Sequence, residues 1–262
     1  MSKWLEMGVA VGVGVTWMGA PARAQVDTEK LRTKKVRQGW HGFLEGALTV
    51  QTGNTELFTA GVGARLEYNY GVHRPFLQGV YSMGSKTDDR YVHNGFLHAR
   101  WPAMWHKRIG TELFSQMQFD EFKRLGMRTL VGGGVRVAAV LHDNVDLHVG
   151  TGYMFEYEQL DFPDDHPADD PHADRTYHHR WTSYVSIHVN ISKWLDLVSI
   201  TYVQPRFDKF SDVRVLEDLG LQFTVYKKLK LVLAFILSYD SDPPMTVEKL
   251  DTLTITKLRF VF

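Results

Sequence analysis

Apolar and polar residues alternate with a period of two from Trp40 to the last residue of the chain. In the stretch 58–70, Phe58, Ala60, Val62, Ala64, Leu66, Tyr68 and Tyr70 fall on one side. Thr59, Gly61, Gly63, Arg65, Glu67 and Asn69 fall on the other. A period of two is the signature of a β-strand, whose successive side chains point to opposite faces. Twelve such runs follow one another, at 40–51, 58–70, 76–84, 91–101, 108–121, 127–141, 145–158, 177–191, 197–206, 212–225, 230–240 and 250–262. Their lengths, roughly 9 to 15 residues, exceed the ~5–6 usual for strands of soluble proteins. Connections at 71–75, 102–107, 142–144, 192–196 and 226–229 are short, and the alternate set includes long or proline-rich loops at 159–176 and 241–249. Tight turns at one end and elaborated loops at the other predict an all-β, up-and-down antiparallel barrel.

Alternation does not say which face is outside. A lipocalin-like barrel or a sandwich would bury the apolar rows. Three features predict the reverse arrangement, a transmembrane barrel. Ionised residues sit in mid-strand beside glycines, which suits a crowded, wet interior of Arg–carboxylate pairs. Trp40, Tyr68, Tyr70, Trp101, Trp105, Trp181, Trp194, Tyr202, Tyr226 and Tyr239 gather near strand ends, where amphipathic rings meet a bilayer interface. Finally, the pattern runs through the carboxyl terminus. A sheet immersed in hydrocarbon tolerates no free edge, so the last strand is expected to pair along its full length with the first. Leu258, Phe260 and Phe262 then form a lipid-facing row, and the terminal aromatic looks like the signal read by the β-barrel assembly machinery.

Composition narrows the setting. Thirty basic residues balance thirty acidic ones, so no global field points to nucleic acid. Cysteine is absent, which removes disulfides, thiolate zinc sites and attachment of lipid through a Cys. Residues 1–24 read as a signal peptide. Lys3 precedes an apolar run Gly8–Ala20, and Ala22 and Ala24 supply a cleavage site before Gln25. Residues 25–37 form a polar, basic tail expected to be unstructured, and 38–262 form the barrel. No later stretch reaches the ~18 apolar residues of a spanning helix. The expected location is the outer membrane of a Gram-negative bacterium.

Two stretches carry a family resemblance. One is GWHGFLEGALTVQTGNTE at 39–56, with its Trp-x-Gly start and Gly-Asn turn. The other is ELFSQMQFDEFKRLGMRTLVGGGVR at 112–136, with Glu112, Phe114, Gln116, Leu125, Arg128 and the Gly132–Gly134–Arg136 spacing. In these and in its closing strand the chain resembles the YdiY-like family of salt-induced outer-membrane proteins. The resemblance implies a barrel and supplies no biochemical activity, and the loop at 159–176 departs from it.

Candidate chemistry is sparse. The loop QLDFPDDHPADDPHADRT (159–176) holds six aspartates and two histidines. Asp164, Asp165, His166, Asp169, Asp170 and His172 are weak candidates for a divalent ion, since oxygen-rich clusters suit calcium or magnesium and added His suits zinc. No EF-hand spacing is present, and the proline density favours an extended, solvated segment. His178 and His179 point oppositely. No His-x-Ser of the phospholipase and deacylase barrels occurs; Ser186-x-His188 reverses it, with its members ~7 Å apart. Glu156 with Glu158, or Asp169 with Asp170, lack a motif to hold a water between them. No catalytic residue and no cofactor is expected.

The interior remains. Alternation turns Arg65, Arg100, Arg128, Arg136, Arg180, Arg214, Lys257 and Arg259 inward, with Glu67, Glu112, Asp120, Asp146, Glu156, Glu158, Asp218, Asp240 and Asp251. Signs nearly match, so the network either cross-braces a closed barrel or lines a narrow, weakly selective pore for small polar solutes or ions. Val232, Ala234 and Ile236 would also face inward. Expected partners are outer-membrane lipid, lipopolysaccharide and the assembly machinery, with a monomer favoured. The alternative to a pore is a non-conducting envelope barrel whose acidic loop meets lipopolysaccharide.

Overall fold

The computed structural model describes residues 38–52, 56–87, 89–162 and 170–262. The leader and tail expected at 1–37 lie outside the described residues, as do Asp164, Asp165, His166 and Asp169. Twelve strands occur among the described residues: β1 (Gly39–Gln51), β2 (Leu57–Asn69), β3 (Phe76–Lys86), β4 (Asp89–Ala103), β5 (Ile109–Asp120), β6 (Leu125–Leu141), β7 (Val145–Leu160), β8 (Arg175–Asn190), β9 (Leu195–Pro205), β10 (Val213–Tyr226), β11 (Leu229–Asp240) and β12 (Leu250–Val261). Each pairs antiparallel with its neighbour in sequence, and β12 returns to β1 to close the barrel. One 3-10 turn, Glu121–Lys123, caps the β5–β6 hairpin, with the Asp120 carboxylate accepting from the Phe122 amide.

The alternation sorts the side chains as the pleat requires. Leu44, Leu48, Val50, Val62, Leu66, Leu113, Val131 and Phe260 project outward and are exposed. Arg65, Glu112, Arg136, Glu156 and Arg180 are buried. Aromatic rings form a belt around the short-turn end, where Trp40 stacks on Tyr68 (4.8 Å between centroids), Tyr68 on Tyr70 (5.6 Å) and Tyr70 on His73 (5.0 Å). A second belt at the long-loop end joins Tyr153, His179 and Phe207.

Two expectations need correction. The last strand does not pair along its full length. The β1–β12 ladder runs from Gly42 opposite Phe262 to Gly46 opposite Leu258, leaving Ala47–Gln51 outside it. The paired segment is where Glu45 grips Lys257 (3.0 Å) and Arg259 (2.6 Å) across the seam. It is also where Gly42 admits the Phe262 ring. Beyond Lys257, β12 turns Thr252, Thr254 and Thr256 outward and carries no such tie to β1. The second correction concerns the acidic loop. The β7–β8 ladder reaches Gln159 opposite Arg175, so the loop spans 161–174. Its described far end is anchored, with Asp170 Oδ2 accepting from the Met245 amide (2.8 Å) and His172 Nε2 lying 3.2 Å from the Asp242 carbonyl.

A Cβ at Gly42 would sit 2.4 Å from the Arg65 carbonyl oxygen and 2.7 Å from the Phe262 ring, whereas one at Gly46 meets only the Gly61 carbonyl at 3.8 Å. Gly42→Val is therefore expected to cost about 1–3 kcal/mol by overpacking the seam, and Gly46→Ala to cost far less. Urea midpoints of the folded protein followed by tryptophan fluorescence check the contrast.

Candidate functional site

The interior is the candidate site, because most of the ionisable residues that alternation turns inward are buried there. It is built in layers. In the middle layer, β4 supplies Arg100, β5 Glu112, β6 Arg136, β8 Tyr184 and β9 Tyr202. Arg100 reaches Glu112 at 3.4 Å and donates to the Tyr202 hydroxyl at 3.3 Å. Tyr184 donates to Glu112 at 3.0 Å and accepts from Arg136 at 3.0 Å. Strands β4 and β9 are not neighbours in the ring, so the Arg100–Tyr202 contact spans the lumen itself. Gly150 makes room for Tyr184 beside it, for a Cβ there would lie 2.2 Å from the Tyr184 ring. The remaining cavity beside these residues is about 10 Å³, at most one water's worth of room.

A second layer lies toward the long-loop end. Glu156 and Glu158 project from β7 into a cluster of three guanidiniums. Arg214 of β10 contacts Glu156 at 2.6 Å, Glu158 at 3.1 Å and Asp240 at 2.7 Å. Arg180 bonds Glu156 at 3.2 Å and Asp212 at 3.0 Å, and Arg128 donates to Glu158 at 2.6 Å. Above them Lys123, on the 3-10 turn, pairs with Asp251 at the start of β12. That tie crosses the mouth from β5–β6 to β12. The third group sits beside the seam, with Arg65 on Glu67 at 2.8 Å and stacked over Phe76 at 3.6 Å, and Arg259 over Phe43 at 4.4 Å. Asp146 and Asp218 are buried as well.

Sequence reasoning found only part of an aliphatic band in the lumen. Besides Val232, Ala234 and Ile236, the side chains of Val198, Ile200, Leu216 and Leu253 are buried inside β9–β12. The cluster of Ile200, Leu216, Ile236 and Leu253 packs on Tyr184 and Tyr202. Those two tyrosines, one of them assigned beforehand to the interfaces, carry the bridges instead. At the short-turn end a cavity of about 710 Å³ is bounded by Arg74, Trp105, Lys107, His142, Asp146 and His148. Ser186 is buried on the inner face of β8, and His188 turns to Asp196 (3.9 Å), which Lys230 also holds (2.9 Å). Among the described residues no group of three His, Asp or Glu side chains is arranged to hold a metal ion.

The loops add their own electrostatics. Arg206 chelates Asp208 and Asp212, and its hydrogen bonds hold the exposed Asp208 carboxyl at about 2. For Asp170, burial works against the charge, but the His172 amide, the His172 ring and the Met245 amide prevail and hold it below the usual carboxylate range. A depressed pKa contributes fully above the unfolded value of about 3.9 and is lost as pH falls through the folded one. Hydrogen exchange at the Met245 amide should therefore be protected at neutral pH and lose protection below about pH 4, while Asp170→Asn should lose it at neutral pH. In the lumen, Glu156→Gln removes the carboxylate shared by Arg128, Arg180 and Arg214, leaving them Glu158, Asp212 and Asp240. It should cost about 3 kcal/mol, read as a lowered urea midpoint.

No curated protein matches the chain. Among solved structures it is similar to the NanC porin (8% identity, TM-score 0.46, covering 84% of this chain and 97% of that one). It is also similar to the KdgM porin (7%, 0.39, 85% and 96%) and to LpxR from Salmonella typhimurium (7%, 0.41, 86% and 99%). These are faint likenesses of shape and carry no function across. The family comparison matches residues 44–262, from within the first strand to the terminal phenylalanine, and by it the chain belongs to the family described as Protein of unknown function, DUF481.

Proposed function

We propose that this protein is a barrel of the outer membrane, sealed at rest by its own side chains, which serves the envelope as a non-conducting structural element rather than as an open pore. The membrane reading is supported by the inverted partition of residues. Outward rows of Leu, Val and Phe with no apolar partner would form a continuous apolar surface in water, and closure of the sheet gives every strand two neighbours, β1 and β12 meeting over the short Gly42–Gly46 seam. Aromatic belts at the two ends match two bilayer interfaces. On this reading Leu258, Phe260 and Phe262 face lipid, and Phe262 is the tag by which assembly machinery recognises the chain.

The single observation carrying the sealed state is the Arg100–Tyr202 bridge from β4 to β9, seconded by Arg214 reaching from β10 to Glu156 on β7. Both stand in the path a solute would take. Matched signs also argue against ring selectivity. The other reading, a narrow ion or solute pathway, is favoured by one feature, the vestibule at the short-turn end with its mixed Arg74, Lys107, Asp146 and His148 walls. It would need the bridges to part. No side-chain constellation described above assembles a nucleophile with a base, so hydrolysis is not part of the proposal.

Planar-bilayer recording separates the readings. Detergent-folded wild-type protein is expected to insert without producing conductance steps, and the Arg100→Ala/Tyr202→Ala double variant to produce small ones. Steady wild-type conductance would establish the pore instead. Solubility of the leaderless chain as a folded monomer in detergent-free buffer would remove the membrane reading altogether.

A further inference from the structure

Alternation sends the ionised residues of the strands into the lumen, with one conspicuous departure. Glu217 lies on the outer face of β10, in the row of Val215 and Leu219, directly opposite Thr201 on β9 and Leu237 on β11. Ser199 Oγ donates to its Oε1 at 2.6 Å, and Thr201 Oγ1 donates to its Oε2. The carboxylate is thus presented outward on a cradle of two hydroxyls, surrounded by valine and leucine.

On the membrane reading, with which this inference stands or falls, an ionisable group facing hydrocarbon is expensive and calls for a partner. A carboxylate has about four acceptor sites and no donor. The two hydroxyls occupy one on each oxygen, so any further partner must donate. The depth of the site narrows the choice. Val215 pairs with Tyr239, and Glu217 with Leu237, which puts the carboxylate two residues, ~7 Å along the strand, inside the ring of Tyr239. That is the acyl region just beneath the outer headgroups. Glycerophospholipids carry esters there, which only accept. Amide-linked hydroxyacyl chains carry N–H and O–H groups, which donate. Above the site, the β9–β10 loop offers Lys209, half exposed, and the exposed rings of Phe207 and Phe210, a cation and apolar cover for a phosphorylated saccharide head. Lys209 already pairs with Asp242 (2.8 Å), and a phosphorylated head would share it. A second copy of the chain fits less well. A two-fold axis along the membrane normal sets both Glu217 side chains at one height, acceptor against acceptor, with their hydroxyls already committed.

We propose that the outer face of β9–β10 is a binding site for one amphiphile of the lipid A type, a phosphorylated saccharide bearing amide-linked hydroxyacyl chains, whose amide or hydroxyl donates to Glu217. The protein folded in detergent, its compact state confirmed by heat-modifiable migration, is titrated with lipid A or with phosphatidylglycerol and read by native mass spectrometry. Wild type should retain lipid A about tenfold over phosphatidylglycerol. Glu217→Leu should bring lipid A down to the phosphatidylglycerol level, and Glu217→Gln, which keeps an acceptor, should restore part of the difference. Thr201→Val, which removes one arm of the cradle, should fall between. Equal retention of the two lipids by wild type, or lipid A binding unchanged in Glu217→Leu, overturns the proposal. So does a lipid-free dimer that depends on Glu217, which would assign the surface to a second copy. Failure of the membrane reading looks different, because the chain would then stay folded with no detergent at all.

Discussion

The structure hinges on one guanidinium. Arg214 uses its three nitrogens on three carboxylates, Glu156, Glu158 and Asp240, and so ties β10 to β7 and β11 at once. The rigid fork of arginine suits it to this role in a way lysine could not match. Removing charges from water is costly, and the cost is offset only where each is met by a partner of good geometry. Arg128 and Arg180 complete the arrangement. The small space left in the middle layer is bounded by other side chains, Arg100, Glu112, Phe114, Tyr184 and Tyr202 among them.

The lumen is chemically two-sided. From β1 to β8 its wall is largely ionic and amide-bearing; β9 to β12 add an aliphatic band of Val198, Ile200, Leu216, Val232, Ala234, Ile236 and Leu253, flanked by Arg214 towards one end and by Lys257 and Arg259 towards the other. Tyr184 and Tyr202 stand where the halves meet, offering a hydroxyl to Arg136, Glu112 and Arg100 and a ring to Ile200 and Leu216. An amphipathic ring is the side chain able to satisfy both sides without stranding a polar atom.

Much of the fold was legible from periodicity. The runs 58–70, 145–158 and 230–240 foretell β2, β7 and β11 nearly to the residue, because a half-buried strand has to alternate. Arg65, Arg136 and Glu156, which alternation turned inward, are buried. Which partner each would take was not legible, because contacts such as Arg100 with Tyr202 depend on barrel cross-section and register, which a period of two does not encode. Strand β9 misled for a different reason: Val198, Ile200 and Tyr202 inside alternate with Leu197, Ser199 and Thr201 outside, so both faces are mixed and hydrophobicity does not distinguish them. Glu217 was overlooked by the same route. Its row reads Val215, Glu217, Leu219, and a single acidic residue in an apolar row carries no periodic signal.

The short β1–β12 ladder has a mechanical meaning. Eleven of the twelve junctions join strands that are consecutive along the chain; the twelfth alone brings the two ends of the barrel together, over the span from Gly42 to Gly46. Unfastening it would turn the cylinder into a curved sheet while leaving all the hairpins intact. The closing junction is therefore the latch of the molecule, and a pulling force or an unfolding fluctuation that acts there meets the least resistance to unrolling the ring.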